Sequence, residues 1–77
     1  MRHEGQVQLN GHAVRRLRQR LQLTQRELGL VLGISQPYVS DLERGVWLYV
    51  RTPTLARLAE ALGVEVGALL CGAEPPG

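Results

Sequence analysis

The sequence predicts an all-α fold, a compact domain of five short helices. Apolar residues recur at intervals of three and four along most of the chain, which is the spacing of an amphipathic helix. Asn, Ser or Thr precedes several of these segments and Gly follows most of them, as expected of helix caps. Only a few residues separate one segment from the next. The helices are therefore expected to pack around a single small core.

The first nine residues and the segment after them differ in character. Residues 1–9 hold Gly, Gln and His with isolated apolar residues, a composition that predicts a flexible N-terminal arm with room for a short strand. Asn10 is a capping residue, and the helical spacing of the following apolar residues predicts the first helix over 11–21. Its apolar residues are Val14, Leu17 and Leu21.

Local signals bound the second and third helices. Thr24 and Glu27 have the spacing of a capping box, and Gly33 supplies a left-handed turn, so the second helix is predicted over 25–32. The third begins after Ser35, a capping residue, with a proline in its first turn, where a missing amide hydrogen costs nothing. It is predicted over about 36–44, before Gly45.

Two further helices follow the β-prone stretch VWLYVRT. Thr52 and Pro53 begin the fourth helix, which Gly63 ends, and a last short helix is predicted over 65–70. Their apolar residues are Leu55, Leu58, Ala59 and Leu62, then Val66, Leu69 and Leu70. Residues 10–71 thus form one predicted domain, followed by a disordered tail over 72–77.

The short link between the second and third helices predicts a helix-turn-helix. Gly33, Ile34 and Ser35 alone join them, which forces a steep crossing. Gly29 faces that crossing, where a larger side chain would push the third helix away. Glycine inside a helix costs about 1 kcal/mol, and an ordinary pair of packed helices would not require it. The apolar residues beneath are Leu28, Leu32, Ile34, Val39 and Leu42.

The composition permits a nucleic-acid partner without demanding one. The formal net charge is +2 and the pI about 9.3. All nine basic residues are Arg, which binds phosphate and guanine bidentately, although a GC-rich genome would favour the same usage. The single cysteine excludes an internal disulfide, which points to reducing cytoplasm. Neither a membrane span nor a signal peptide is expected.

Nothing in the sequence predicts catalysis. His3 and His12 have no Cys, Asp or Glu beside them at ligand spacing, so no metal site and no cofactor are expected. No nucleophile stands with a base, and Cys71 fits a small apolar role better than a reactive one. The chain is predicted not to be an enzyme.

The stretch TQRELGLVLGISQPYVSDLERG resembles the helix-turn-helix of phage-repressor and Cro-like regulators, the XRE type. The resemblance runs from about Val14 to Leu70, including LRQRLQLTQ before the motif and PTLARLAEALGV after it. It implies a lambda-repressor-like DNA-binding domain of five helices, usually a homodimer on a palindromic operator. The third helix would then lie in the major groove as the recognition helix.

The resemblance also implies which side chains meet base edges. In this family the first, second and sixth residues of the recognition helix commonly do so, and the fifth sometimes. Gln36 can bind adenine bidentately and Asp41 can accept from cytosine, although Asp41 can equally pair with Arg44. Pro37 departs from the usual polar choice and can touch only a thymine methyl or a sugar. The candidate base contacts are Gln36, Pro37, Ser40 and Asp41.

Other positions would contact the DNA backbone or hold the recognition helix. The family places a phosphate contact at Gln25, where the helix dipole also favours an anion. It also places a mostly buried ion pair at Arg18 and Glu43, which would join the recognition helix to the first helix. The candidate backbone contacts are Gln25, Arg26, Tyr38, Arg44 and Arg51.

Two departures from the family pattern point to a second surface. Leu30 and Val31 replace residues that are usually polar, and the segment between Gly45 and Pro53 is long and apolar. If 46–51 is extended, alternate side chains face opposite sides, and the strand could pair with the arm around Val7 and Leu9, with the same loop of a second subunit or with the DNA backbone. A dimer interface is predicted from Trp47, Tyr49, Leu69 and Leu70.

These observations predict a cytoplasmic, homodimeric transcriptional regulator that binds double-stranded DNA sequence-specifically. A phage-type repressor, a restriction–modification controller and an autoregulating antitoxin that binds a toxin all fit this description. The alternative is a protein-interaction module that uses the same fold to bind a partner protein.

Overall fold

The computed structural model describes residues 6–45 and 49–70. Within them the chain forms β1 (Gln6–Gln8), α1 (Gly11–Arg20), α2 (Gln25–Leu32), α3 (Gln36–Glu43), β2 (Tyr49–Arg51), α4 (Thr52–Leu62) and a terminal 3-10 helix (Val66–Leu69). The mostly helical prediction is confirmed, with two differences. The last helix is a 3-10 turn of four residues, and a two-stranded sheet is present.

The helices begin where the capping residues predict. The Asn10 side chain accepts a hydrogen bond from the backbone N–H three residues on, at 3.1 Å. The capping box is complete, because Glu27 N donates to Thr24 Oγ1 at 3.0 Å and Thr24 N donates to Glu27 Oε1 at 2.8 Å. Ser35 caps α3 in the same way as Asn10 caps α1. These bonds satisfy amide groups that the helix itself leaves unpaired.

A left-handed residue follows each of the four α-helices, and Gly45 after α3 has a φ of 78°. Gly33 and Gly63 adopt φ of 74° and 71° and terminate α2 and α4, as predicted from glycine's freedom at positive φ. The end of α1 differs from the prediction. Gln22 takes a φ of 59°, so the chain leaves the helix there and Leu21 becomes its exposed cap rather than a core residue.

One apolar cluster forms the core. Its buried members are Leu9, Val14, Leu28, Leu32, Val39, Leu42, Val50, Leu55, Leu58, Ala59, Leu62 and Leu69. The predicted apolar stripe of α4 lies entirely within this cluster. Leu17 and Ile34 are only partly buried against it, and Val66 is exposed, because a four-residue 3-10 helix cannot turn all its apolar residues inward.

Residues 6–9 belong to the folded domain rather than to a flexible arm. Strand β1 pairs antiparallel with β2, and Val7 lies opposite Val50. Leu9 is buried and forms a β-bridge with Leu70. The pairing covers Val50, which is itself in the core. Residues 1–5 and the predicted tail over 72–77 lie outside the described residues.

The described part of β2 has the alternation expected of an extended segment. Tyr49 and Arg51 are exposed, whereas Val50 is buried. Residues 46–48, with Trp47 among them, are outside the described ranges. No described helix is both long enough and apolar enough to cross a membrane.

Candidate nucleic-acid interface

Gly29 allows α2 and α3 to cross closely. A Cβ atom at this position would lie 2.7 Å from the carbonyl oxygen of Ile34 and 3.5 Å from Val39 Cγ2. The same turn is closed by a hydrogen bond from Ile34 N to Gly29 O at 2.9 Å. The prediction that Gly29 faces the crossing, with no room for a side chain, is confirmed.

Gly11 makes a second close approach, which was not predicted. A Cβ atom there would overlap the carbonyl oxygen of Leu42 and lie 3.0 Å from that of Glu43. The start of α1 therefore rests directly on the last turn of α3. Glycine in the first turn of a helix, directly after a capping residue, was the one available signal of such a contact.

Arg18 and Glu43 join α1 to α3 through a bidentate ion pair. Arg18 Nε lies 2.5 Å from Glu43 Oε2, and Nη2 donates to Oε1 at 3.1 Å. Both residues are at least nine-tenths buried, and Arg18 Nη1 donates to the carbonyl oxygen of Leu23 at 2.7 Å. Because a buried pair roughly cancels its own desolvation cost, its main effect is to fix the position of α3.

Gln25 extends this pair to the start of α2. Its Nε2 donates to Glu43 Oε1 at 3.0 Å. A side-chain amide carries two donor hydrogens, so one binds Glu43 and the second is available to an acceptor outside. The Glu43 carboxylate thus receives hydrogen bonds from two helices, which neither periodicity nor composition indicated.

The outward surface of α3 is polar at the predicted readout positions. Gln36 and Pro37 are exposed, and Ser40 is half-buried. Arg44 Nη2 donates to Asp41 Oδ1 at 2.7 Å, with side-chain exposures of 67% and 31%. The pairing of Asp41 with Arg44 that the sequence left open is therefore formed, and it orients the Asp41 carboxylate.

Tyr38 is half-buried at the helix-turn-helix. It borders a shallow cleft of about 50 Å³ whose other lining residues are Leu32, Ile34, Thr54 and Arg57. Its ring packs against the core. Tyr38 is therefore anchored by its ring rather than projecting freely from α3.

The remaining backbone candidates lie at element ends. Arg26 is exposed in the first turn of α2, next to Gln25. Arg51 is exposed at the end of β2 and directly precedes α4. Both positions leave the guanidinium accessible to a phosphate.

The first turn of α2 has one titratable group with a perturbed pKa. The backbone N–H of Thr24, and then its hydroxyl, hold the pKa of the Glu27 carboxyl below its ordinary value of 4.5. Hydrogen bonds to the charged form favour that form. Glu27 therefore stays ionised and keeps the capping box closed at neutral pH.

The predicted dimer residues separate into different environments. Tyr49 is 38% exposed, while Leu70 is half-buried. Leu69 is fully buried within the chain, so its assignment to a surface was wrong. Residues 69–70 are held against the start of the domain. Leu70 forms a β-bridge with Leu9, and Asn10 N donates a hydrogen bond to Leu69 O.

Across residues 6–45 and 49–70, no group of three His, Cys, Asp or Glu side chains is placed to hold a metal ion. His12 is exposed on α1. His3 and Cys71 lie outside these ranges.

Comparison with known proteins gives a consistent assignment. A helix-turn-helix family model matches residues 14–69. The P22 c2 repressor protein, in a crystal structure with a synthetic operator, is 32% identical with a TM-score of 0.75 over 86% of this chain and 98% of that chain. The restriction–modification controller C.AhdI from Aeromonas hydrophila is 33% identical, with a TM-score of 0.71 over 78% and 89%. The clp gene regulator ClgR from Corynebacterium glutamicum is 39% identical, with a TM-score of 0.66 over 73% and 71%. No curated protein sequence matches significantly.

Proposed function

Because the chain belongs to the helix-turn-helix family of XRE-type regulators, we propose that it is a DNA-binding transcriptional regulator. It binds double-stranded DNA sequence-specifically, as a homodimer on a palindromic operator. The similar P22 repressor is itself complexed with an operator. The observation that carries the proposal is the fixed position of α3, whose polar outer residues are presented by the Arg18–Glu43–Gln25 network.

In this proposal the N-terminal half of α3 reads bases in the major groove. Gln36 is exposed at the first helical position and supplies both a donor and an acceptor, as recognition of adenine requires. Ser40 and Asp41 lie one turn on, and Pro37 adds only apolar contact. Asp41 reads cytosine with its carboxylate held by Arg44, whose charge also offsets repulsion from phosphates.

Backbone contacts surround this helix. Gln25 donates its second amide hydrogen to a phosphate at the N-terminus of α2, where the helix dipole attracts anions. Arg44 uses one donor for Asp41 and keeps others for a phosphate. The full set of proposed backbone contacts is Gln25, Arg26, Tyr38, Arg44 and Arg51.

Tyr49 and Trp47, which stands two residues before it in the sequence, are proposed as the centre of the dimer interface, with Leu70 at its edge. Aromatic side chains are favoured at interface centres, and a domain this small gains much from burying surface in a dimer. Two copies related by a twofold axis match two half-sites separated by roughly 10 base pairs or a near multiple.

Selection of bound sequences from random duplex DNA tests the function. An enriched palindrome, bound with a steep loss of affinity on adding salt, is the expected result. Equal affinity for all sequences, or no binding at low salt, would contradict the proposal.

A protein-interaction module, including an antitoxin that binds a toxin, is the second candidate. Leu30 and Val31 favour it, since they are 74% and 61% exposed side by side on α2, and exposed apolar patches often mark partner surfaces. The same selection identifies a module that binds protein alone, because such a module enriches no DNA motif, whereas an autoregulating antitoxin enriches one.

A further inference from the structure

The outward face of α1 is occupied by basic and amide side chains. Its exposed members recur at helical spacing: His12, Arg15, Arg16, Gln19 and Arg20. The helix contains no Asp or Glu. These five residues, called the α1 basic face below, form one strip along the helix.

This arrangement is unfavourable for an isolated helix. Arg16 and Arg20 are four residues apart, and like charges at that spacing repel. Within residues 6–45 and 49–70, the ion pairs involve Arg18 and Arg44, so neither Arg15 nor Arg20 has a carboxylate partner there. An anionic partner would explain the positive charge of Arg15 and Arg20, which the described part of the fold does not use.

The α1 basic face begins beside the recognition helix. Arg15 is one turn from Gly11 and one turn from Arg18, the two residues of α1 that meet the last turn of α3. Arg20 continues the strip toward the end of α1, next to the turn that leads into α2. The basic strip therefore begins where α1 borders the last turn of the recognition helix.

The chemistry of the strip favours a nucleic-acid backbone over a protein. Protein interfaces depend on buried aromatic or apolar anchors, and the α1 basic face has none. Contacts to phosphates need only positive charge and hydrogen-bond donors. We propose that the α1 basic face binds the phosphates of duplex DNA flanking the operator, beyond the base pairs that α3 reads. This inference rests on the proposed function.

The test compares two duplexes: the core operator found by selection, and the same operator extended by one helical turn on each side. The wild-type protein is expected to bind the extended duplex more tightly and with a steeper salt dependence. Arg15→Gln/Arg20→Gln should remove that advantage, reducing the slope of log K against log salt by about 0.9 for each phosphate that the variant no longer neutralises. Its affinity for the core duplex should not change.

Arg15→Lys/Arg20→Lys is the matched control, because lysine keeps the charge that a phosphate contact needs. It should retain the advantage of the extended duplex. Gln is a good helix former and removes like-charge repulsion, so thermal unfolding should show both variants folded. Hydroxyl-radical footprinting should lose flanking protection only in the glutamine variant.

Two results separate this inference from the proposed function. If the wild-type protein binds the core operator but gains nothing from the extension, or if the glutamine variant behaves as wild type on both duplexes, the inference is wrong and the regulator assignment stands. If the wild-type protein binds neither duplex, both the inference about the α1 basic face and the regulator assignment are wrong.

Discussion

The side-chain amide of Gln25 donates to Glu43 across 3.0 Å. Glu43 is the residue whose carboxylate also binds Arg18. A proposed phosphate contact on α2 is thereby tied to the buried pair that fixes α3. Backbone binding and base reading are expected to depend on the same small network, because a shift of Glu43 moves both Gln25 and the recognition helix.

The ion pair can be tested by a double-mutant cycle. Arg18→Met should leave Glu43 buried and unpaired, with a loss of ~3–5 kcal/mol in the free energy of unfolding. Adding Glu43→Leu should recover much of that loss, since no buried charge then remains. Urea denaturation of the four proteins measures the coupling. Strictly additive losses would mean that the two residues do not interact.

Base reading and backbone positioning are separated by two alanine variants. Gln36→Ala should weaken operator binding by ~1–3 kcal/mol and relax the preference at one base pair. Gln25→Ala should weaken all sequences alike, because a phosphate contact carries no base information and Arg18 still holds Glu43 in place. Anisotropy titrations against operators changed at each position measure both effects. An identical change in base preference in the two variants would show that these roles are misassigned.

The close crossing at Gly29 predicts a reversal of normal helix propensity. Alanine in a helix is usually better than glycine by about 1 kcal/mol. Gly29→Ala should nevertheless destabilise, because its methyl group meets the Ile34 carbonyl oxygen and overpacking of this kind costs roughly 1–3 kcal/mol. Gly67→Ala is the matched control, since no atom lies within 4 Å of a Cβ there. Thermal unfolding of both measures the contrast, and a stabilised Gly29→Ala protein would refute the steric argument.

Acid should open the capping box of α2. The pKa of Glu27 in the folded chain lies below its ordinary value of 4.5. Its stabilising contribution is therefore present above that value and is lost as the pH falls through the folded pKa. Glu27→Gln keeps a capping side chain without the charge, so its melting temperature should fall less than that of wild type between neutral pH and pH about 3. If the melting temperatures of the two proteins fall equally with pH, the charge of Glu27 does not stabilise the capping box.

The proposed dimer interface predicts a change of mass. Replacing Trp47 and Tyr49 with Ser should shift the protein toward monomer in analytical ultracentrifugation, because aromatic anchors supply much of the binding energy at interfaces. Leu21→Ser is a suitable control, since Leu21 is an exposed apolar residue at the end of α1. A Trp47/Tyr49 variant as dimeric as its parent would place the interface elsewhere.

The helices could be predicted because their signals are local. Capping residues act on backbone groups within one turn, so they specify by themselves where the helices begin and end. They are Thr24 with Glu27, Ser35, and the glycines at 33 and 63. The apolar stripe of α4 is equally local, as 3.6-residue periodicity reports which face is buried. The close crossing at Gly29 could also be predicted, because glycine inside a helix costs stability and therefore indicates that a larger side chain does not fit.

Apart from the Arg18–Glu43 pair, which the family resemblance implied, contacts between distant segments were decided only by the tertiary structure. Strand β1 has three residues and no strong pattern, and it is ordered because β2 offers it a partner. Leu69 lies in the core because the chain returns beside Leu9 and Asn10. Gln25 and Glu43 are 18 residues apart, and their bond exists only once α2 and α3 have crossed. Local residues thus determined the helices, whereas packing determined which polar groups meet, since long-range pairs depend on loop closure and shape rather than on neighbouring residues.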